Sequence, residues 1–374
     1  MSHSILPPSG AAAWAKCALW VRMVQAYPQG DTPESLEGNA AHWCFAEMLA
    51  GRDVCEGTSA PNGVIVTSEM IDGADMFVDV VNTRLAGMSF NVEKPVSMTS
   101  VHPSCWGTPD VDGYRDGIIE IVDYKFGHRF VDEYENLQCI VYAIGVLERE
   151  ALKRGVSVGA LDQATLVNIT IVQPRCFYRG SPIRTWSVAA SDLRPIVNML
   201  AGAAARAMLP NPKGTTNPEC RDCPGRHACP VLQQAAYADA EYSYVSAPLE
   251  LPPAAASLEL RMLERAAERL NARIDGLQTA VAAYARQGIA TPFHALEQTK
   301  GRKVWSVPID QVVALGALMG KQLAKPAVVT PTQAKALGVD EAVISAYSKE
   351  SNEALRLVPE NPAKARRVFG IVNS

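Results

Sequence analysis

The sequence lacks any apolar run that approaches the roughly 20 residues needed to cross a bilayer. Its first ten residues lack the basic start and long apolar core of a secretory signal peptide. A phosphate-binding loop of the form G-x4-G-K-[ST] is also missing, which excludes ATP-driven unwinding by these residues. We therefore expect a cytoplasmic protein with no membrane partner.

An excess of positive charge is also missing. The chain carries 35 Lys and Arg against 39 Asp and Glu, a net charge of −4. This excludes a basic surface of the kind that coats duplex DNA, but it leaves room for a local basic groove. Three short clusters are candidates for such a groove: Lys125, His128 and Arg129; Lys213, Arg221 and Arg226; and Lys300, Arg302 and Lys303. At 374 residues with 48% hydrophobic and 20% charged residues, the chain has the size of a two-domain globular protein.

Nine cysteines, an odd number, argue against a complete disulfide framework. Cys220, Cys223 and Cys229 form a C-x2-C-x5-C-P pattern whose three thiolates can wrap one metal ion or cluster, but a closed site needs a fourth ligand. His227 is a local candidate that would make a zinc site, and Cys17 is a distant one. The spacing alone does not choose between zinc and [4Fe–4S]. The remaining cysteines are interpreted as small packing residues: Cys44, Cys55, Cys105, Cys139 and Cys176.

The stretch from Gly107 to Lys125 predicts a β-hairpin. Two runs of alternating apolar residues flank Asp116-Gly117, a dipeptide that favours a two-residue turn. If the residues on either side of this turn pair, Asp110 lies opposite Asp123. Directly opposed side chains share one face of a sheet, so both carboxylates are expected on one patch.

Two neighbouring carboxylates are unfavourable unless a positive charge lies between them. Mg²⁺ or Mn²⁺, which prefer carboxylate oxygens, would provide it. Lys125 follows Asp123 by two residues and shares its face, where it could hold a nucleophilic water or steady a pentavalent phosphate. These residues indicate metal-assisted hydrolysis of a phosphodiester.

Apolar periodicity predicts helices at 36–49 and 131–150 and further strands at 164–172 and 185–188, which together indicate an α/β sheet core. His42 lies on the apolar stripe of the first helix. Gln138 and Tyr142 are four residues apart on the second and therefore share a face.

The C-terminal third reads as a helical extension. We predict a core domain at 1–240, a linker at 241–255 and a mostly helical extension at 256–374. A heptad seam runs along a long helix at 256–287. It predicts packing on another helix of the same chain or a homo-oligomer. A basic hairpin is predicted at 293–307, followed by short helices.

Taken together, these motifs resemble the RecB-like branch of the PD-(D/E)XK nuclease superfamily. They resemble most its iron–sulfur members, the AddB-type recombination nucleases and the cluster-containing exonuclease of CRISPR adaptation modules. The sequence is also similar to phage and prophage proteins of this type. The resemblance spans about residues 10–235 and rests on four ordered motifs enclosed by the cysteines: Gly38-Asn39-Ala40-Ala41-His42, Gly107-Thr108-Pro109-Asp110, Asp123-Tyr124-Lys125 and Gln138-Cys139-Ile140-Val141-Tyr142.

The resemblance implies a restriction-endonuclease-like mixed sheet flanked by helices, with an iron–sulfur clamp. It implies Mg²⁺ or Mn²⁺ bound by His42, Asp110, Asp123 and the Tyr124 carbonyl, with Lys125 as the catalytic lysine. Gln138 and Tyr142 would contact DNA or orient that lysine. A [4Fe–4S] cluster would be held by the four cysteines Cys17, Cys220, Cys223 and Cys229.

The function expected from these features is a metal-dependent DNA nuclease, an exonuclease on single strands or DNA ends in recombination, repair or replication. A phage-encoded copy would work in the cytosol of its bacterial host, beside a helicase, a single-strand-binding protein or a recombination protein. Two alternatives stay open. One is a non-catalytic DNA-binding subunit of a recombination complex, and the other is a zinc-stabilised interaction protein.

Overall fold

A mixed five-stranded sheet organises the residues that the computed structural model describes, which are 4–177, 181–242 and 252–292 with His294 and Leu296. Its strand order is β1-β4-β5-β6-β7, and β2 and β3 form a separate two-stranded sheet. The strands are β1 Phe90–Val92, β2 Val96–Ser97, β3 Trp106–Gly107, β4 Val111–Arg115, β5 Ile118–Tyr124, β6 Leu166–Val172 and β7 Ile183–Ala189. The predicted strands at 164–172 and 185–188 are thus confirmed as β6 and β7.

Helices flank this sheet. They are α1 Ala11–Lys16, α2 Trp20–Ala26, α3 Pro33–Leu49, α4 Ser68–Arg84, α5 Leu137–Arg154, α6 Val158–Asp162, α7 Arg194–Ala207, α8 Pro230–Tyr242 and α9 Pro253–Arg286. Short 3-10 helices lie at Pro8–Gly10, Ala190–Leu193 and Pro218–Asp222. The expected α/β class with a mixed sheet between helices is confirmed.

The predicted hairpin is formed by β4 and β5 in the predicted register. Arg115 pairs with Ile118 and Val111 with Val122. Asp116 and Gly117 have φ angles of 51° and 79°, the left-handed pair that a tight two-residue turn requires. A side chain at Gly117 would also meet the Ala164 carbonyl oxygen at 2.5 Å, so that only glycine fits the turn without displacing the backbone before β6.

The two faces of the sheet bury separate apolar clusters. Strand β5 pairs antiparallel with β4 and parallel with β6, and α5 makes the crossover between β5 and β6. Ile119 and Ile121 point towards α5, whereas Val122 and Tyr124 point towards α3 and α4. Each fully buried side chain of this size stabilises the fold by about 1.5–3 kcal/mol relative to an exposed one.

Helix α5 begins later than predicted. Residues 131–136 form a loop. Gln173 of the segment after β6 binds the backbone where this loop begins: Gln173 Oε1 accepts from Val131 N at 3.2 Å, and Gln173 Nε2 donates to the carbonyls of Gly127 and Arg129. Asn136 then caps the helix by accepting from Cys139 N. The predicted range 131–150 therefore becomes Leu137–Arg154.

The predicted long helix of the C-terminal third is confirmed as α9. Contacts divide the chain into two units, and the described residues up to Gln278 belong to the first, those from Thr279 to the second. The predicted hairpin at 293–307 and the helices that follow lie outside the described residues, except His294 and Leu296. The domain boundaries and the oligomer through 256–287 stay predictions.

Two smaller observations complete the fold. Within the described ranges no helix has the length and apolar character required to pass through a bilayer.

Four of the five cysteines interpreted as packing residues are buried, but Cys55 is exposed. That interpretation was wrong for Cys55, because it lies in the turn between α3 and α4 and not in a regular element.

Candidate functional site

The two predicted carboxylates meet at one end of the central hairpin. Continuing the β4–β5 register by one residue brings Asp110 opposite Asp123. Tyr124 N donates to Asp110 Oδ2 at 2.7 Å, which ties the carboxylate of one strand to the backbone of the next. The side chains of Asp110 and Asp123 are 13% and 2% exposed. Two carboxylates are therefore withdrawn from water on adjacent strands.

Two basic side chains approach these acids. His42 Nδ1 of α3 lies 3.3 Å from Asp110 Oδ1, and Lys125 Nζ lies 2.9 Å from Asp123 Oδ2. Asp123 Oδ2 is buried and accepts no hydrogen bond from the described residues. The contact between Lys125 and Asp123 is therefore an ion pair whose angle does not suit a hydrogen bond. The helical histidine, the two acids and the lysine thus form one cluster, although 68 residues separate His42 from Asp110 in sequence.

The surroundings shift the pKa values of the two acids in opposite directions. Burial raises the pKa of Asp123 above its ordinary value, and Asp110 adds to the rise while Lys125 opposes it. Burial acts on Asp110 in the same sense, but His42, Lys125 and the Tyr124 N–H bring its pKa below the ordinary value. Burial would lower the pKa of Lys125, but the two carboxylates raise it. Both carboxylates thus favour the protonated, ammonium form of Lys125.

Gln138 and Tyr142 of α5 stand beside Asp123. Gln138 Nε2 donates to Asp123 Oδ1 at 3.3 Å. Burial raises the pKa of Tyr142, Asp123 raises it further, and a hydrogen bond with Gln138 opposes the rise. The observed partner of Gln138 is thus an acid of the cluster, which it orients.

The Tyr124 side chain anchors the site from behind. Its ring packs edge-on against Phe45 of α3 and Phe77 of α4, at centroid distances of 5.4 and 5.2 Å. Its hydroxyl lies where a side chain at Gly73 would come within 2.5 Å. The packing of this ring fixes the backbone whose N–H holds Asp110. The Tyr124 carbonyl as a metal ligand stays a prediction.

No group of three or more His, Cys, Asp or Glu side chains in the described ranges stands close enough to hold a metal ion as arranged. At the hairpin, Asp110 faces His42 and Asp123 faces Lys125, so that binding an ion requires Lys125 to move off Asp123 and His42 to turn from Asp110 towards the ion. Catalytic side chains often tighten only when their ligands bind. The donor set of two carboxylates and an imidazole suits Mg²⁺ or Mn²⁺, with the imidazole favouring Mn²⁺.

The four predicted cysteines gather at a second cluster. Cys17, Cys220, Cys223 and Cys229 line one cavity, which is otherwise largely apolar. Burial raises the pKa of Cys223 to about 11, and the other three thiols add to the rise. Asn217 N donates to Cys220 Sγ at 3.4 Å. Four thiols form a donor set that suits zinc as well as an iron–sulfur cluster, although the described residues do not hold them close enough to bind either as arranged.

His227 lies apart from these thiols. It does not line their cavity, and its ring packs edge-on against Tyr27 at 4.6 Å. Arg273 of α9 donates to the His227 carbonyl. Of the two fourth ligands considered, the fold therefore brings Cys17 to the other three cysteines.

A groove extends from Gln138 to the cysteine-bearing segment. Its lining includes three aromatic residues, Trp20, Phe130 and Tyr134, two cations, Lys16 and Arg129, and four acids, Asp132, Glu135, Glu219 and Asp222. Arg129 pairs with Asp222 at 2.6 Å across the groove. Single-stranded nucleic acid binds surfaces that combine aromatic faces with positive charge, and this groove provides the aromatic faces.

One family model, described as "Protein of unknown function (DUF2800)", matches residues 3–364. The chain belongs to this family. No curated protein matches it significantly. The DUF2800 match covers both clusters described above.

In this DUF2800 chain, two side chains near the hairpin escaped the sequence reasoning. Arg175 binds Glu37 of α3 and Glu69 of α4 through a bidentate contact to each. Glu93 follows β1 and lies beside Asp110. No local sequence pattern identifies either residue. Arg175 lies after β6, and Glu93 follows a strand of only three residues.

Proposed function

We propose that this DUF2800 protein is a metal-dependent DNA nuclease with a restriction-endonuclease-like core. The observation that carries the proposal is the meeting of buried Asp110 and Asp123 on adjacent strands, with His42 and Lys125 beside them. A structural ion-pair network could be built at much lower cost on the surface, because burying carboxylates is unfavourable. Buried acids with divergent pKa values are typical of catalytic sites.

The roles follow from the contacts. Asp110, Asp123 and His42 would hold Mg²⁺ or Mn²⁺, which when bound lowers the pKa of a water molecule and offsets charge on the phosphate. Lys125 is held as an ammonium by two carboxylates. It would therefore hold the attacking water by hydrogen bonds or stabilise charge on the phosphate, and it would not remove a proton. Gln138 would keep the Asp123 carboxylate oriented.

The cysteine cluster would bind [4Fe–4S] as a structural clamp. It joins Cys17, next to α1, to the segment before α8, and Lys16 also pairs with Glu219 at 2.7 Å. A cluster there would tie the two ends of the sheet domain together. The reducing cytoplasm that we propose would keep its thiols free of disulfides.

The groove beside Gln138 supports single-stranded DNA or DNA ends as the substrate. Its aromatic residues could stack on bases without regard to sequence. Its four acids outnumber its two cations, however, so that tight binding of DNA would need a partner such as a helicase, a single-strand-binding protein or a recombination protein.

The decisive experiment compares Asp123→Asn with Asp116→Asn. Both substitutions remove one carboxylate from the same hairpin, but the Asp116 side chain is 89% exposed in the turn. We expect Asp123→Asn to lower cleavage of end-labelled DNA by at least about 100-fold in Mg²⁺ and Mn²⁺, and Asp116→Asn to leave it unchanged. Equal cleavage by wild type and Asp123→Asn, with folding intact by circular dichroism, would falsify the mechanism.

One observation favours a second candidate, a DNA-binding subunit without catalysis. The acids already face His42 and Lys125, and no three ligands stand ready for an ion in the described residues. Wild-type protein that binds single-stranded DNA by fluorescence anisotropy, yet cleaves none with any divalent metal, would establish this candidate instead.

A further inference from the structure

The loop between β5 and α5 joins two residues of the proposed active site. It begins after Lys125, which follows β5, and it ends at α5, where Gln138 donates to Asp123. Part of this loop, including Arg129 and Tyr134, lines the groove beside Gln138. The position of the loop therefore decides where the wall of the groove lies relative to the buried acids.

Gln173, the residue after β6, holds this loop. Its side chain is fully buried, and its amide makes four hydrogen bonds. Gln173 Oε1 accepts from Val131 N at 3.2 Å and from Arg184 Nη2 at 2.9 Å. Gln173 Nε2 donates to the carbonyls of Gly127 and Arg129 at 2.8 and 2.7 Å. A side-chain amide has two donors and two acceptor sites, so both are fully used here, and neither a carboxylate nor a thioether could replace it.

Arg184 of β7 supports the same part of the loop. Arg184 Nη2 also donates to the Val131 carbonyl at 3.0 Å, and Arg184 Nε lies 3.5 Å from Glu133 Oε2. Its guanidinium lies over the Phe130 ring, 4.7 Å from the centroid. Phe130 is one of the aromatic residues that line the groove. Buried side chains from the ends of two neighbouring strands thus fix both the backbone of this loop and one aromatic ring of the groove.

The acids of the hairpin are held by other contacts. Tyr124 N donates to Asp110, and the Tyr124 ring packs on α3 and α4. Lys125 N donates to the Val172 carbonyl at 2.9 Å, which continues the pairing of β5 with β6. Loss of the Gln173 side chain should therefore displace the wall of the groove and leave the acids in place.

We propose that Gln173 is a positioning residue for the substrate. Through the backbone of residues 127–131 it places Phe130 and the adjoining wall of the groove where a DNA strand approaches Asp110 and Asp123. The inference rests on the proposed nuclease function and adds a residue that touches neither the substrate nor the metal. Stacking of a base on an aromatic side chain typically changes affinity about tenfold or more, so a displaced wall should weaken the binding of the strand.

The test variant is Gln173→Met, which keeps the length of the side chain and removes its hydrogen bonds. The matched control is Thr170→Val on β6, because Thr170 is also fully buried and its hydroxyl bonds Thr185 Oγ1 at 3.0 Å, away from the loop. We expect Gln173→Met to raise KM for a single-stranded oligonucleotide about tenfold and to leave kcat within about threefold of wild type. Bis(p-nitrophenyl) phosphate is too small to reach the wall of the groove, so its cleavage should not change. Thr170→Val should cleave both substrates as wild type does.

Hydrogen exchange follows the loop without any activity. In Gln173→Met, the backbone amides of residues 127–136 should exchange at least about tenfold faster than in wild type, whereas those of β5 and α5 should not. Gln173→Glu provides a second variant if Gln173→Met does not fold. It keeps the shape of the side chain but loses both donors, so KM and loop exchange should change in the same direction.

The outcomes separate the inference from the proposed function. A raised KM with faster exchange in the loop supports the role of Gln173. Unchanged KM or unchanged loop exchange overturns that role and leaves the nuclease proposal standing, and so does an equal fall in kcat on both substrates. If wild-type protein cleaves no DNA, the nuclease proposal fails and fluorescence anisotropy with single-stranded DNA replaces KM: weaker binding by the variant supports the role of Gln173, and equal binding overturns it. If wild-type protein neither cleaves nor binds single-stranded DNA, both proposals are overturned.

Discussion

Replacing Arg175 with methionine should destabilise the protein and loosen its histidine helix. Arg175 follows β6, and its side chain is only 9% exposed. Its guanidinium donates four hydrogen bonds at 2.8–3.0 Å, two to Glu37 and two to Glu69. It also lies over the Phe126 ring at 3.7 Å. One side chain thus joins α3, which carries His42, to α4 and to the segment that follows Lys125.

The magnitude follows from how far each contact is removed from water. A hydrogen bond between charged groups contributes about 1.5–3 kcal/mol when buried, but an exposed ion pair contributes about 0–1 kcal/mol. Glu37 is 37% exposed and Glu69 is 59% exposed, so both contacts belong nearer the exposed limit. A cation–π contact adds about 1 kcal/mol. We therefore expect Arg175→Met to lower the free energy of unfolding by about 2 kcal/mol.

Urea unfolding followed by circular dichroism measures this change, and Arg52→Met is the matched control. Arg52 makes the same bidentate contact with Glu47 on α3, but its side chain is 60% exposed. The control should unfold as wild type does. A loss below about 1 kcal/mol in Arg175→Met would show that the three elements are held by packing alone and would refute the reasoning.

The contacts of Arg175 with Glu37 also predict how the stability of the protein depends on pH. The hydrogen bond from Arg175 is the largest influence on Glu37 and holds its pKa below the ordinary value. A depressed folded pKa means that the stabilisation is fully present above the unfolded pKa of about 4.3 and is lost as pH falls through the folded pKa. The difference in unfolding free energy between wild type and Glu37→Gln should therefore be constant from neutral pH to about 5 and shrink on further acidification. A difference that grows in acid contradicts this assignment.

Two further predictions concern the Tyr124 anchor and the cysteine cluster. Gly73→Ala should destabilise the protein by about 1 kcal/mol, because the clash with the Tyr124 hydroxyl outweighs the gain in helix propensity. Gly38 has open space around it, so Gly38→Ala should stabilise the protein by about 0.5–1 kcal/mol. If the two variants unfold at the same urea concentration as wild type, both predictions are contradicted. Anaerobically purified protein should contain iron and absorb visible light, Cys223→Ser should lose both, and Cys55→Ser should keep both. A colourless preparation with stoichiometric zinc contradicts the iron–sulfur assignment.

The hairpin could be predicted in detail because its determinants are local. Asp116-Gly117 permits the two left-handed residues of the turn, and the alternating apolar residues then leave one register that buries them. From that register the opposition of Asp110 and Asp123 followed without a structure. The helices were predicted from periodicity, but the start of α5 was misplaced, since Gln173 of a distant segment binds the backbone of Gly127, Arg129 and Val131, and Asn136 caps the helix.

The sequence by itself determined the hairpin, its acidic pair and the candidate cysteines, because each depends on residues a few positions apart or on composition. The resemblance implied His42 and Cys17 at these sites. Only the tertiary structure places His42 3.3 Å from Asp110 and brings Cys17, not His227, to the other thiols, with Glu93 and Arg175 near the hairpin. These contacts join residues that are far apart in sequence. They form only when α3 and α4 pack on one face of the sheet and α5 on the other, and no local pattern encodes that packing.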